Sequence, residues 1–437
     1  MPSITVREAM AYVQKNDVKF IRLAFCDLFG AQKNLSIMPN ELPKAFESGV
    51  SLDASGIKGF SDVTSSDLSL FPDPDTLGAL PWRPGPGRVA RFFCDIRHPD
   101  GTPFSGDCRN VLKNAVMHAQ RLKLESKIGV ECEFYLFKTD ENGEPVDQTL
   151  DRGGYLDIAP LDRGEDIRRE ICLNLQEMGL SPERSHHKQG PGQNEIDFKF
   201  SDVMTSADNL LAFKALVKAI ASRNGLFASF MPKPLIGKSG NGLHVNLSLT
   251  SGGENIFRRK DLAGSAGRFI AGVLARVPEA SVFLNPLANS YERFGSFEAP
   301  KYVSWSFQNL SQLLRVPARQ SENARMELRS TDPSINPYLA FALILEAGLE
   351  GIEKGLELPP PLDEDLCSNE SAAKGLAMLP LSLEEALKLA QESEFIKKSL
   401  PEQIRVNYLK LKKVEAAEFA AVANKEAFYK HAYFGAV

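Results

Sequence analysis

At 437 residues the chain is long enough for two globular domains, and 43% hydrophobic with 24% charged residues is ordinary for a folded protein. A formal net charge of −5, with no long block of like charges, excludes a basic arm of the kind that holds nucleic acid. No run approaches the roughly 18 apolar residues of a membrane span, so a chain without a membrane or nucleic-acid partner is expected.

The segment MPSITVREAMAYV lacks the basic stretch and apolar core of a signal peptide, and the six cysteines show no paired spacing. A reducing cytoplasm is the expected setting. Residues 18–25 (VKFIRLAF) read as extended, DLFGAQ as a turn and KNLSI as a returning strand, which predicts a hairpin. Residues 71–87 (FPDPDTLGALPWRPGPG) are rich in Pro and Gly and read as a connector. RVARFFCDI (88–96) follows as a strand, and HPDGTPFSGD leads into a larger unit, dividing the chain into 1–104 and 105–437. Helical periodicity runs through 109–124, 163–180 and 206–225, the last stopping at Gly225, and the chain from Asn336 onward is mostly helical.

Four short segments alternate so that polar residues share one face. GVECEFYLF places Glu131 and Glu133 together; NEIDFKF places Glu195, Asp197 and Lys199. GLHVNLSLT aligns His244, Asn246 and Ser248, and ARMELRS aligns Arg325, Glu327 and Arg329. One such face is most often the solvated side of a sheet. Four of them, holding four glutamates, a histidine and arginines, point instead to a cation site, because unpartnered carboxylates would raise one another's pKa. That donor set suits Mg²⁺ or Mn²⁺ better than Zn²⁺, and the arginines suit phosphates and a substrate carboxylate. Two Gly-rich loops, KQGPGQNE (188–195) and KSGNGLH (238–244), lead into two of these strands and let backbone approach a ligand.

The segments DASGIKGF (53–60), ECEF (131–134), GGYLDIAPLD (153–162) and SHHKQGPGQNEIDF (185–198) continue with MPKPLIGKSGNGLHVNLSL (231–249), NSYERFGSFEAP (289–300) and RMELRSTDPSINPYLA (325–340). Together they resemble a type I glutamine synthetase nearly end to end. The resemblance implies an α+β chain: an N-terminal β-grasp domain and a glutamine synthetase/guanido kinase-like catalytic domain with an open, barrel-like antiparallel sheet. It implies a homo-oligomer, a dodecamer of two stacked hexamers with active sites between subunits, and HAYFGAV tucked into a partner. The implied substrates are ATP, glutamate and an amine.

By the same resemblance, Glu133 and Glu195 match ligands of one metal, and Glu131, His244 and Glu327 those of a second. Arg293, Arg329 and Gly240 match the glutamate site; Phe200, Ser248, Arg315 and Arg325 match the nucleotide site. Glu298 matches the flap glutamate that shields the acyl-phosphate, and Asp53 and Tyr155 match the ammonium site, Asp53 reaching in from a neighbouring subunit.

Three positions depart from that pattern. Lys188 stands where the family motif HHE has glutamate, Gly56 where it has serine, and Leu310 where it has arginine near the transferring phosphate. The flap is one residue short, and residues 359–379 carry no tyrosine for adenylylation. Lys188 is expected either to turn to solvent or to pair with Glu133 or Glu195 in place of a cation; near the amine it would repel NH₄⁺. The implied reaction is glutamine synthesis, with two alternatives: ligation of a different amine, or a weakly active, regulatory homologue.

Overall fold

The computed structural model describes residues 4–60, 66–82, 87–258, 262, 264–317, 323–435 and 437. Residues 83–86 of the predicted connector lie outside the described residues. The N-terminal unit runs α1 (Val6–Lys15), β1 (Val18–Cys26), β2 (Gln32–Ile37), α2 (Leu42–Ser48), β3 (Val50–Asp53), β4 (Asp67–Pro72), β5 (Gly78–Ala79) and β6 (Arg88–Arg97). Its sheet has the order β2-β1-β6-β4-β3, with β5 on β6, and β1 lies parallel to β6 in β-grasp fashion. The predicted hairpin is β1–β2. Its turn is held by Asp27, whose carboxylate accepts from Phe29 and Ala31 N–H at 3.0 Å each. Gly30 sits there at φ 81°, and a Cβ on it would come within 2.7 Å of Asn336 Cα in the second unit, so only glycine fits.

Strand alternation gives this sheet two buried faces. Ile21, Leu23, Phe25, Phe92 and Cys94 build the unit's own core, while Ala24, Cys26 and Phe93 join the core of the larger unit. Arg109 fastens the join. It is 4% exposed and bonds Asp95 at 2.7 Å, Asp73 at 2.8 Å and Asp208 at 3.0 Å. Removing one partner of a buried ionic cluster strands the others, so Arg109→Met is expected to cost about 3–5 kcal/mol, measured by urea unfolding. A loss below about 1 kcal/mol would show that the cluster is incidental.

The larger unit continues with α3 (Cys108–Arg121), β7 (Leu124–Thr139), β8 (Pro145–Thr149), α4 (Glu165–Glu177), β9 (Pro182–His187), β10 (Gln193–Phe198) and β11 (Ser201–Asp202). Then come α5 (Val203–Arg223), β12 (Leu226–Ser229), β13 (Leu243–Ser251), β14 (Glu254–Asn255), α6 (Ser265–Leu284), β15 (Trp305–Ser306), β16 (Leu314–Arg315) and β17 (Met326–Leu328). Helices α7 (Pro337–Lys354), α8 (Leu383–Glu392), α9 (Glu394–Ser399), α10 (Glu402–Ala421) and α11 (Lys425–Tyr429) close it. The sheet runs β15-β16-β17-β13-β7-β10-β9 and curls as a half-barrel, antiparallel except for β15–β16. Its apolar face, with Cys132, Phe134, Ile196, Val245 and Leu328, packs against α5, where Phe134 meets Phe213 edge-on at 6.1 Å.

Some boundaries differ from those predicted. The helix expected over 109–124 ends at Arg121; Lys123 turns through φ 59° and β7 starts at Leu124. Helix α5 begins three residues earlier than predicted, because Asp202 caps it by accepting from Thr205 N–H. Lys199 falls beyond β10 and is exposed, so it leaves the predicted polar face. In the terminal segment, Phe434 lies against Phe137 at 4.8 Å and Phe227 at 5.2 Å.

Candidate active site

Pairing register sets the polar residues in rows across the concave face. One row is His186–Glu195–Glu133, the next Arg184–Asp197–Glu131–His244, and the third Asn246–Glu327–Arg315. Glu131, Glu133, Arg184, His186, Glu195, His244 and Arg315 of these rows line a cleft of about 440 Å³ with Tyr155, Lys188, Gly240, Arg293, Glu298, Leu310, Arg325 and Arg329. Glu327 is buried beside Glu131 and His244. A second cleft of about 420 Å³, with Phe200, Asn246 and Asp197 in its wall, shares Glu131, Arg184 and Arg325 with the first, so the two are continuous. The Arg325 guanidinium lies 5.9 Å from the centre of the Phe200 ring. Ser248 lines neither cleft; its hydroxyl accepts from Asn255 Nδ2 at 3.2 Å. Asp53 and Gly56 also lie outside both clefts.

Glu131, His244 and Glu327 offer ligand atoms all within 4.8 Å of one another. Two carboxylates and one imidazole fit a hard divalent ion such as Mg²⁺ or Mn²⁺. Glu327 is fully buried and accepts from Arg315 Nε at 2.5 Å and Arg329 Nη1 at 2.7 Å. Burial works against the charge on Glu131, but His244 and Asn246 outweigh it and hold the carboxyl well below its usual range.

Lys188 does not turn to solvent. Its Nζ lies 2.9 Å from Glu133 Oε1 and 3.0 Å from Glu195 Oε2. Burial disfavours its charge, yet the two carboxylates more than compensate and hold the ammonium protonated. In return Glu133, despite full burial, is held down at about 2 by Lys188 and His244. Burial together with Lys188 and Arg184 presses His186 down to about 4, so this ring is neutral at pH 7. Asp197 is pushed up to about 6 by burial and Glu131. Burial also raises Glu195, with Glu133 and Asp197 adding to it against the pull of Lys188. The residues around Glu133 and Glu195 therefore do not fit a divalent ion while Lys188 stands between them.

The backbone of Lys188 is fixed from both sides. Its N–H donates to Gln193 O at 2.8 Å, and its carbonyl faces His187 Nδ1 at 2.7 Å. His187 Nε2 bonds Asp151 at 2.9 Å, so both ring nitrogens face acceptors and the ring pKa is raised against burial. Against burial, Asp151 is pulled down to about 2 by His187 and by backbone N–H donors. The raised histidine supports the fold below about pH 6.5 and loses that contribution as pH rises through its folded pKa. The depressed carboxylate contributes about 2 kcal/mol above about pH 4, lost as pH falls toward 2. The contribution of this pair is thus expected to plateau between about pH 4 and 6.5, and His187→Asn to flatten its alkaline side in urea unfolding. An unchanged alkaline slope in that variant would refute the pairing.

Gly240 must be glycine, since a Cβ there would meet Pro232 O at 2.5 Å and Arg293 Cγ at 2.6 Å. Arg293 is 3% exposed, donates to Ser330 O at 3.1 Å, and keeps Nε without a hydrogen-bond partner among the described residues. Phe297 and Glu298 on the flap take left-handed φ of 49° and 65°, a strained turn of the kind that collects at functional loops. Gly56 has no atom within 4 Å of a built Cβ, so glycine there is not a backbone requirement.

Several residues of the site escape sequence reasoning. Buried Gln193 donates to Glu133 at 3.1 Å and to Gly240 O at 3.0 Å, joining the two Gly-rich loops. Arg184 pairs with Asp197 at 2.7 Å, and Asn246, already on the predicted polar face, donates to Glu131 at 3.1 Å and accepts from Arg325 at 2.6 Å. The one available signal was the spacing Arg184, His186, Lys188, which alternates along an edge strand.

Residues 17–99 match the family described as the glutamine synthetase beta-grasp domain, and residues 105–431 the glutamine synthetase catalytic domain. With the curled sheet and its acidic, arginine-lined cleft, this defines a ligase that forms carbon–nitrogen bonds. Glutamine synthetase of Methanosarcina mazei is 45% identical over 428 residues, 96% of each chain, and that of Clostridium saccharobutylicum 45% identical over 423 residues, covering 95% of this chain and 96% of that protein. Among solved structures, a GmaS/ADP complex superposes with a TM-score of 0.87 at 28% identity, covering 97% of this chain and 99% of that one. Plasmodium falciparum glutamine synthetase gives 0.86 at 25% identity, covering 99% and 100%. The chain belongs to the glutamine synthetase family.

Proposed function

We propose that this chain is an ATP-dependent ligase that joins an amine to the γ-carboxyl group of glutamate through a γ-glutamyl phosphate, with glutamine synthesis as its default reaction. The observation that carries the reading is the set of cross-strand rows that brings Glu131, His244 and buried Glu327 together beside the cleft that Arg315, Arg325 and Arg329 line. Arg293, Arg329 and the Gly240 backbone hold glutamate. Phe200, Arg315 and Arg325, with Ser248 further out, hold the nucleotide.

A Mg²⁺ or Mn²⁺ ion on Glu131, His244 and Glu327 would offset charge on the phosphoryl groups. The arginines supply the rest of that compensation from fixed positions, without reorganising as charge develops. Glu298, on the strained flap, shields the acyl-phosphate from water and takes a proton from the amine. Tyr155 and a neighbouring subunit's Asp53 complete the amine site, which requires a ring-shaped homo-oligomer, a dodecamer in this reading. Six unpaired cysteines support a cytoplasmic setting.

A different amine is the second reading, supported by the departures Lys188 and Gly56 at the implied amine position and Leu310 at the implied γ-phosphate position. Lys188 repels NH₄⁺ less than its charge suggests, because its ammonium is paired with Glu133 and Glu195 at 2.9 and 3.0 Å. A weakly active or regulatory homologue is favoured only by Leu310, and retained Arg293, Arg329 and Glu298 argue against it.

ATP-dependent phosphate release is measured with glutamate plus ammonium, then with a panel of primary amines. Turnover with ammonium supports glutamine synthesis, and turnover with one amine alone selects the second reading. Silence with every amine while ATP still binds sinks the ligase proposal.

A further inference from the structure

The acidic floor contains two places for a cation, and they are not alike. At the first, Glu131, His244 and Glu327 bring ligand atoms within 4.8 Å of one another, with Arg315 and Arg329 hydrogen-bonded to Glu327. At the second, Glu133 and Glu195 close on an ammonium at 2.9 and 3.0 Å. A divalent ion held by the same two carboxylates would sit about 2.0–2.2 Å from each, in the space that Nζ fills. The two cations exclude each other.

Lys188 is also built to stay. Its backbone is pinned by Gln193 on one side and by His187, itself anchored on Asp151, on the other. The Tyr155 ring lies 5.8 Å from Nζ, adding a cation–π contact. Gln193 and the Gly242 N–H hold Glu133 Oε2 at 3.1 and 2.7 Å, which leaves Oε1 turned to the ammonium. These contacts orient Glu133 on the lysine without help from a metal.

We propose that the Lys188 ammonium is a built-in cation that replaces one divalent ion, so that the active site binds a single divalent metal, on Glu131, His244 and Glu327. The proposal rests on the ligase reading only for what that metal does, not for how many are bound. A covalently attached cation cannot be lost to a chelator or to dilution, so the Glu133–Glu195 wall keeps its geometry in metal-free protein. Of the two further acidic groups among the described residues, Glu131, Glu195 and Asp197 share Glu131 with the metal site and have Arg184 on Asp197, while in Asp151, Asp162 and His187 the carboxylates are already paired with His187 and Arg168, so neither adds an independent site.

The test is Mn²⁺ titration of the full-length protein without nucleotide, following free Mn²⁺ by electron paramagnetic resonance. One ion per chain is expected for the wild type and two for Lys188→Glu. Lys188→Gln, which keeps the stem and drops the charge, should gain a second, weaker site and serves if the glutamate variant does not fold. Two ions per wild-type chain, or one in both variants, overturns the proposal. The amine panel is run on the same preparations: one bound ion without turnover sinks the ligase reading and leaves the single-metal inference standing, whereas turnover with two bound ions does the reverse.

Discussion

Glu327→Gln is expected to lower kcat/KM by about 10³-fold or more, the largest effect of any single substitution in the cleft. The residue is fully buried on the short strand β17, and each of its oxygens has a separate task. One accepts from Arg315, the other from Arg329, and the latter also lies 3.7 Å from His244 Nδ1. Glutamine keeps the shape and loses the charge. Its amide NH₂ must also point at one of two guanidiniums, placing donor against donor. That arginine is then released from the position in which it meets its ligand, and the divalent site loses a charged ligand. Breaking a buried ionic contact also costs about 3–5 kcal/mol of stability, so rates are read well below the variant's melting temperature. Steady-state kinetics and Mn²⁺ affinity settle the point together. A loss below tenfold with unchanged Mn²⁺ affinity would remove Glu327 from the centre of the site.

The polar faces that led to this residue were legible because strand side chains alternate with a period of two, which no tertiary contact can change. The order of the strands was another matter. Glu133 meets Glu195, and Glu327 meets Asn246, only through pairings between segments tens of residues apart, decided by turns and core packing. Gln193 went unnoticed because it stands in a Gly-rich loop where a polar residue is unremarkable, yet its side chain ties two loops together. Arg184 and His186 were hidden in PERSHH, an edge strand with too few apolar residues to show a face. For Lys188 the sequence left two orientations open. Backbone pinning by Gln193 and His187 decides between them, and no local pattern encodes that.

Asp53 behaves differently, and the second prediction turns on it. In its own chain Asp53 is exposed at the end of β3, bonded to the Ser55 N–H and hydroxyl at 2.9 and 2.7 Å, and outside both clefts. The hydroxyl and N–H of Ser55 hold its carboxyl below the usual range, so it is an anion at neutral pH. A negative side chain displayed in that way costs nothing to the fold and does nothing for the site within one chain. Asp53→Ala should therefore leave the melting temperature unchanged but reduce amine-dependent turnover about 10²-fold or more, if it serves a neighbour's cleft as a proton acceptor. Mixing decides the geometry. Asp53→Ala and Glu327→Gln subunits, each inactive alone, are unfolded together in equal amounts and refolded. In a closed ring, each site takes its N-terminal unit from one subunit and its catalytic sheet from the next. Random assembly then makes roughly a quarter of the sites intact, and activity should return to roughly that fraction of wild type. If each site were made from a single chain, no mixture could contain an intact one, and activity would stay at the level of the separate variants. Recovery near a quarter would place Asp53 in the neighbour's site. Its absence, with rings formed normally, would remove Asp53 from the amine chemistry and leave the cleft to find its base within its own chain, where Glu298 is the carboxylate on the flap.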